Sequence, residues 1–96
     1  MTHKRMLASV LFTDVEGSTE MAAALGDRAW RETLDLHDAL TARAIGEHEG
    51  RLVSTTGDGL MAVFESPGRA VACGLVIIQA AMSEASLAVR AGVHTG

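Results

Sequence analysis

The sequence contains few aromatic residues and no tyrosine. Its aromatic side chains are Phe12, Trp30 and Phe64, which is too few for the stacking platforms that bind single-stranded nucleic acids. Lysine and arginine together number 8 against 12 acidic residues, and the formal net charge is −4. This balance leaves no basic face to neutralise a phosphate backbone. We therefore expect no nucleic-acid partner.

Cysteine and long apolar segments are also scarce. The single cysteine, Cys73, cannot form an internal disulfide and lies on the apolar side of a predicted helix, so we expect it to pack as a small hydrophobic residue. No apolar run approaches the roughly 20 residues that a membrane-spanning helix needs. The N-terminal segment lacks the cleavage pattern of a secretory signal. The sequence therefore predicts a cytoplasmic chain without a membrane segment.

The composition is that of a folded domain. Hydrophobic residues make up 48% and charged residues 21% of the 96-residue chain, proportions that are typical of globular proteins and not of disordered ones. The length suits one domain with one core. We find no internal repeat, linker or low-complexity segment.

The apolar spacing and turn signals predict the element order βααββαβ. Ser18 and Asp27 are the predicted N-caps of the first two helices, and Ser66 followed by proline predicts the start of the third, with Val71 and Leu75 in its buried stripe. The predicted strands are 6–13, 51–56, 60–64 and 87–93, and the helices end at about 25, 48 and 82. This order indicates an α/β (α+β) fold, a ferredoxin-like palm whose antiparallel sheet has helices on one face.

Two aspartates lie next to predicted strands, one directly after the first strand and one shortly before the third. Asp14 lies in LFTDVEGST at the end of the first strand, and Asp58 lies in STTGDGLMAVF just before the third. In a ferredoxin-like sheet these strands are adjacent and antiparallel, so we expect both carboxylates at one corner. Carboxylate oxygens suit magnesium, which leaves its other positions to water and substrate phosphates. The sequence thus predicts a metal-dependent nucleotide site.

The residues that follow Asp14 favour a phosphate in the same place. The backbone amides of Val15, Glu16, Gly17 and Ser18 precede or open a helix, and a helix N-terminus attracts anions. A metal ion and a phosphate at one corner are chemically compatible.

Simpler interpretations exist for each residue. Asp14 could be an ordinary acidic loop residue, and Asp58 taken alone favours a turn-forming role by roughly two to one; the pairing of the two reverses that preference. The Glu16 carboxylate fits a helix-dipole partner better than a metal ligand. His37 is expected to pack in the protein interior and His94 to be a structural residue at a strand end. Arg90 is only a weak candidate for a phosphate contact.

Three segments closely resemble the class III nucleotidyl (adenylate and guanylate) cyclase catalytic domain of bacterial type. They are LFTDVEGSTEMAAALGDRAWRETLDLHDAL, HEGRLVSTTGDGLMAVFESPGRAV and VRAGVHTG, and they cover nearly the whole chain. The resemblance implies that Asp14 and Asp58 hold two Mg²⁺ or Mn²⁺ ions and that the backbone carbonyl of Val15 completes the second metal site. It also assigns Gly57 and the segment 15–18 to the nucleotide phosphates.

The resemblance further implies a reaction and a partner. Family members form head-to-tail dimers that bind ATP or GTP between subunits, and the ribose 3′-hydroxyl attacks the α-phosphorus to release pyrophosphate. One subunit supplies the metals, and the other supplies the base-recognising and transition-state groups. A homodimer, or a heterodimer with a complete cyclase, is therefore expected.

Two departures from the family pattern bear on activity. Ser54 stands where the family usually has a base-selecting lysine, and the family's second half, with its transition-state Asn-x-x-x-Arg segment, would begin after Gly96. We therefore expect residues 1–96 to be a partial cyclase domain that is weakly active or inactive alone. The alternatives are a non-catalytic regulatory or dimerisation module that pairs with a complete cyclase, another palm-fold nucleotidyl transferase, or a plain structural domain.

Overall fold

A computed structural model describes residues 8–96 of the chain. Three helices and four strands follow in the predicted order: β1 (Ser9–Val15), α1 (Ser18–Leu25), α2 (Asp27–Glu47), β2 (Arg51–Thr56), β3 (Gly59–Phe64), α3 (Pro67–Ala85) and β4 (Val89–Thr95). The first two residues of the predicted strand 6–13 lie outside the described part. Between residues 8 and 96, no helix has both the length and the apolar content needed to cross a membrane.

The four strands form one antiparallel sheet in the order β2-β3-β1-β4. This is the strand order of the ferredoxin-like palm, and it confirms the predicted fold and the pairing of the first and third strands. Burial alternates along β1: Leu11, Thr13 and Val15 are buried, whereas Phe12 is 44% exposed. The helices therefore cover one face of the sheet, and we call the opposite face the helix-free face.

The core lies between the sheet and helices α2 and α3. Leu11, Ala62, Cys73, Ile77 and Leu87 are fully buried in it. Cys73 packs as the sequence predicts, and burial raises the pKa of its thiol to about 11 because an apolar environment disfavours the thiolate.

Two predicted helix caps are wrong. Gly17 and Gly26 occupy the N-cap positions of α1 and α2, neither start has a side-chain capping bond, and Ser18 and Asp27 are instead the first helical residues. The chain leaves β1 through a left-handed residue, Gly17 with φ +65°, a conformation that glycine adopts without steric cost. The third predicted cap is confirmed, since the Ser66 hydroxyl accepts a hydrogen bond from the Arg69 amide at 3.1 Å.

The third helix ends later than predicted, and the last strand is displaced by two residues toward the C-terminus. Helix α3 continues to Ala85 and ends at Ser86, which has φ +53°, and β4 runs from Val89 instead of from Leu87. Val71 and Leu75 are 48% and 55% exposed, which contradicts their predicted burial. They line an open groove between α3 and β4, the edge strand of the sheet, which does not cover them fully.

Candidate metal and nucleotide site

The pairing of β1 with β3 brings the two predicted metal-binding segments to one end of the sheet. Thr13 is the register partner of Leu60. Asp14 is therefore one residue beyond this pair on β1, and Asp58 lies two residues before Leu60, in the turn that leads into β3. Because the two strands are antiparallel, the end of one lies beside the beginning of the other.

The turn that carries Asp58 is a tight hairpin, as the sequence predicts. Thr56 pairs with Gly59, so Gly57 and Asp58 are the two residues between the strands. Gly57 has φ +55°, whereas Asp58 does not adopt a positive φ. The left-handed conformation, which is the usual reason for Asp at a hairpin turn, is thus taken by the glycine. Glycine followed by aspartate is an ordinary pair for a two-residue hairpin of this kind, so the turn geometry requires Gly57 and permits Asp58.

The backbone carbonyl of Val15 faces the side of β1 on which Asp58 lies. The Glu16 amide donates to the Ala88 carbonyl at 2.8 Å, and the Gly96 amide donates to the Ala8 carbonyl at 3.4 Å. Even-numbered residues of β1 therefore form their hydrogen bonds toward β4, and by the alternation of an antiparallel pair the odd-numbered ones face β3. Extending the β1–β3 register by two residues sets Val15 opposite Asp58.

The side chain of Asp14 is bound by a residue that the sequence singles out only weakly. Asp14 and Arg90 are register partners on β1 and β4, and Arg90 Nη2 donates to Asp14 Oδ2 at 2.7 Å. Arg90 Nε also lies 3.8 Å from Glu16 Oε1. The hydrogen bond and the negative charge of Asp14 raise the pKa of the Arg90 guanidinium further above its usual range. The two residues are 76 positions apart in the sequence. Identifying the pair would have required the register between β1 and β4, which local sequence patterns do not give.

The predicted phosphate-binding amides differ in their availability. The amide of Glu16 is engaged by Ala88. At the start of α1 the first intrahelical bond runs from the Met21 amide to the Gly17 carbonyl at 3.0 Å, so the Ser18 amide has no acceptor within its own helix. The anion-binding potential of this segment therefore rests on Gly17, Ser18 and the next residues of the helix.

Ser54 lies on the helix-free face, on the same side of the sheet as Asp14. A register shift between Leu52 and Ser54 marks a β-bulge in β2, after which Ser54 pairs with Met61. Met61 in turn pairs with Phe12 of β1, and Phe12 alternates with buried residues. An exposed hydroxyl therefore occupies the position where the family usually has a lysine.

An open cleft of about 390 Å³ borders Asp58. Its walls come from α1, from the N-terminal half of α2 and from the β2–β3 turn, with Ser18, Trp30, Leu34 and Gly57 among the lining residues. Neither Trp30 nor Leu34 was a predicted site residue, since their helical spacing indicates only packing. His37, one turn further along α2, is buried as predicted, and its Nδ1 lies 3.3 Å from Asp38 Oδ1.

The oxygen donors at this corner fit a magnesium or manganese ion. Residues 8–96 contain no group of three or more His, Cys, Asp or Glu side chains placed to hold a metal. The oxygen donors that the register brings to this end of the sheet are Asp14, Asp58 and the Val15 carbonyl. Mg²⁺ is commonly bound in this way and completes its coordination with water and substrate phosphates. Zinc, which prefers four nitrogen or sulfur ligands in structural sites, does not fit this donor set.

Comparison with known proteins identifies the family. Residues 2–96 match the adenylate and guanylate cyclase catalytic domain family. Among solved structures, the guanylyl cyclase Cya2 is 25% identical with a TM-score of 0.76, over 100% of this chain and 57% of that one. A Trypanosoma brucei adenylate cyclase (23% identity, TM-score 0.84) and CyaB from P. aeruginosa (22%, 0.80) each match over 100% of this chain and 59% of theirs, and these two establish the fold alone.

A curated relative matches a shorter region. The serine/threonine-protein kinase pkn2 of Myxococcus xanthus is 38% identical over 69 residues, which are 72% of this chain and 8% of that protein. The chain thus spans a small part of this relative and 57–59% of the three solved cyclases above. The match over residues 2–96, together with the sheet order and the corner that carries Asp14 and Asp58, shows that the chain belongs to the adenylate and guanylate cyclase catalytic domain family.

Proposed function

We propose that this chain supplies the metal-binding half of a nucleotidyl cyclase site that converts ATP or GTP into its 3′,5′-cyclic monophosphate and pyrophosphate. The observation that carries the proposal is the β1–β3 register, which brings Asp14, the Val15 carbonyl and Asp58 to one end of the sheet in a chain of the cyclase family. Substrates and metal ions of this kind are abundant in the cytoplasm, where we expect the protein to act.

Each residue has a defined part in this proposal. Asp14, the Val15 carbonyl and Asp58 hold two Mg²⁺ or Mn²⁺ ions. When bound, such ions polarise the α-phosphoryl group and favour the deprotonated 3′-oxygen. The first amides of α1, with the adjoining Gly17 and Gly57 segments, hold the triphosphate against these cations. The 3′-hydroxyl gives its proton to solvent water as its oxygen forms a bond to the α-phosphorus. The bond from the α-phosphorus to the bridging oxygen breaks, and pyrophosphate leaves with that oxygen.

The remaining groups come from a partner in this proposal. The helix-free face leaves Phe12 and Ser54 exposed, and a second subunit in a head-to-tail dimer covers this side. The partner is a second copy or a complete cyclase, and it supplies the base-recognising and transition-state groups. The guanylate cyclase domain of RhGC from Catenaria anguillulae, which shares the fold, is described in complex with GTP. A rhodopsin-guanylyl cyclase with converted specificity is described in complex with ATPαS, and the two support a purine triphosphate as the substrate class. Because Ser54 stands in place of the base-selecting lysine, residues of the partner determine which purine is bound in this proposal.

A second candidate function is a regulatory or dimerisation module that pairs with a complete cyclase without contributing to its chemistry. The observation that favours it is the exposed hydroxyl of Ser54, which occupies the position where the family usually has a base-selecting lysine. The two functions differ in one respect: only the catalytic one requires Asp14 and Asp58.

Metal-dependent nucleotide binding tests the proposal on the chain alone. Free Mn²⁺ gives a strong electron paramagnetic resonance signal that is lost on binding, so a titration in the presence of ATPαS measures the affinity directly. We expect the parent chain to bind Mn²⁺ and the variants Asp14→Asn and Asp58→Asn to bind it at least tenfold more weakly, because each loses one of two carboxylate ligands. Asp35→Asn is the matched control, since Asp35 is exposed on α2 and, within residues 8–96, its ion-pair partner is Arg31.

The outcome separates the two candidate functions. Equal Mn²⁺ binding by the parent and both site variants would contradict the catalytic proposal. Addition of the chain to a complete cyclase, with cyclic nucleotide as the readout, then tests the module function. Stimulation that survives the loss of Asp14 and Asp58 would support the module function instead.

A further inference from the structure

We propose that Arg90 is an internal counter-ion that competes with the divalent cation for Asp14, so that metal binding displaces the Arg90 guanidinium from Asp14 Oδ2. This inference rests on the proposed function, in which Asp14 is a metal ligand. It adds a residue of β4 that sets the affinity of the site for its cation.

Arg90 already occupies one oxygen of the carboxylate that binds the cation in the proposed function. Arg90 Nη2 lies 2.7 Å from Asp14 Oδ2, and Arg90 Nε lies 3.8 Å from Glu16 Oε1. One guanidinium thus lies within ion-pair distance of both acidic side chains at the end of β1. A charged donor at this distance takes up one of the lone pairs that the carboxylate offers to a cation. Two positive charges at one carboxylate also repel each other.

The register of the sheet fixes this arrangement. Arg90 is the direct cross-strand partner of Asp14, and directly opposed side chains of an antiparallel pair lie close together on the same face. Both side chains are well exposed, at 64% for Arg90 and 50% for Asp14. Exposed ion pairs contribute little to stability, so the guanidinium can move away when a divalent ion arrives. The guanidinium therefore binds the Asp14 carboxylate but can be displaced from it by a divalent cation.

Replacement of Arg90 distinguishes competition with the metal from a purely structural role of the Arg90–Asp14 ion pair. We expect Arg90→Gln to bind Mn²⁺ roughly three- to tenfold more tightly than the parent chain, since it removes a competing unit charge from a solvated site. Arg90→Lys keeps the charge but loses the planar fork of donors and should fall between the two. The measurement is the loss of the free Mn²⁺ resonance signal during titration, without any nucleotide.

The matched control is Arg69→Gln. Arg69 also forms an exposed pair with a carboxylate, at 3.4 Å from Glu49, so its loss changes the net charge by the same amount. Glu49 is next to Gly50, which contacts the Phe64 ring, and Phe64 pairs with Ser9 at the far end of β1. Ser9 lies roughly 16 Å along the strand from Asp14. We expect Mn²⁺ affinity to stay within twofold of the parent in this variant.

A second measurement follows the arginine itself. With ¹⁵N-labelled arginine, the Arg90 Nε–H signal of the parent should shift on addition of diamagnetic Mg²⁺, and this shift should be absent in Asp14→Asn. Asp14-dependent metal binding with an unchanged Arg90 signal, or with no tightening in Arg90→Gln, overturns the inference and leaves the proposed function intact. Metal binding that does not depend on Asp14, or no binding at all, overturns the proposed function and this inference with it.

Discussion

Gly59 and Thr13 approach each other so closely that a side chain at position 59 would be crowded by the backbone of β1. A Cβ built on Gly59 would lie 3.0 Å from the Thr13 carbonyl oxygen and 3.0 Å from the Thr56 hydroxyl. The contact joins the first residue of β3 to the strand that carries Asp14. Because glycine has no side chain, the turn that carries Asp58 lies directly against the end of β1.

We expect Gly59→Ala to destabilise the protein and to weaken metal binding. The Thr13 carbonyl belongs to the sheet and cannot move away cheaply, so the added methyl should cost about 1–3 kcal/mol of the free energy of unfolding. Displacement of the turn should also move Asp58 away from Asp14 and lower the Mn²⁺ affinity. Urea denaturation and Mn²⁺ titration measure the two effects.

Gly46→Ala is the control for the loss of a glycine. A Cβ at Gly46 meets no atom within 4 Å, and the residue lies in the last turn of α2. Alanine is favoured over glycine in helices by about 0.5–1 kcal/mol, so this variant should be slightly more stable and bind Mn²⁺ normally. Equal stability of the two alanine variants would contradict the close approach of Gly59 and Thr13.

Cys73 should make the stability of the domain depend on alkaline pH. Its pKa is raised from the ordinary value of 9.0 to about 11 by burial. Below pH 9 both the folded and the unfolded chain keep the thiol proton. Between about pH 9 and 11 the unfolded chain loses it while the folded chain retains it, so stability should fall by up to about 1.4 kcal/mol per pH unit.

The composition makes this effect measurable. The sequence has no tyrosine and a single lysine, Lys4, and arginine does not titrate in this range. Cys73→Ala retains Lys4, so the difference between the two pH profiles isolates the thiol. We expect urea midpoints of the alanine variant to change much less between pH 9 and 11. Parallel profiles for the two proteins would show that the thiol is not protected by burial.

His37 places an unsatisfied polar atom in the core. The residue is 2% exposed, and its Nε2 has no hydrogen-bond partner among the described residues. A buried polar group without a partner lowers stability, whereas an apolar replacement of similar shape is often neutral or stabilising. We therefore expect His37→Leu to leave the free energy of unfolding within about 1 kcal/mol of the parent, or to raise it.

His37→Ala is the companion variant for this position. It removes the same polar atom but leaves a cavity, and we expect a loss of about 2 kcal/mol or more by analogy with other large-to-small core changes. Thermal and urea denaturation of both variants supply the measurement. A loss of several kcal/mol in His37→Leu would mean that the imidazole has a bonding partner, such as a buried water molecule.

The fold was largely predictable from local patterns. Alternating or continuous apolar runs predicted all four strands, and the Ser66-Pro67 pair predicted the start of α3 because both the cap and the proline act within one turn. The caps predicted at Ser18 and Asp27 were wrong, since the preceding glycines take the cap positions. Whether serine or its neighbouring glycine occupies a cap depends on the direction in which the chain enters the helix, and the preceding strand sets that direction.

The candidate site was predictable in part. Asp14 and Asp58 could be located because each is next to a strand end, and the element order implied that those ends meet. The engagement of the Glu16 amide with Ala88 could not be predicted, because it requires the exact register between β1 and β4. The exposure of Val71 and Leu75 has a similar origin, since burial depends on how far a neighbouring element extends.

The sequence by itself determined the order of elements, the hairpin at Gly57 and the position of both aspartates at strand ends. These features follow from side-chain periodicity and turn chemistry, which act over a few residues. Only the tertiary structure decided that Arg90 binds Asp14 and that the Val15 carbonyl faces the Asp58 turn. Both depend on the register of strands far apart in the chain, and a shift of one residue in that register would turn each side chain to the opposite face of the sheet.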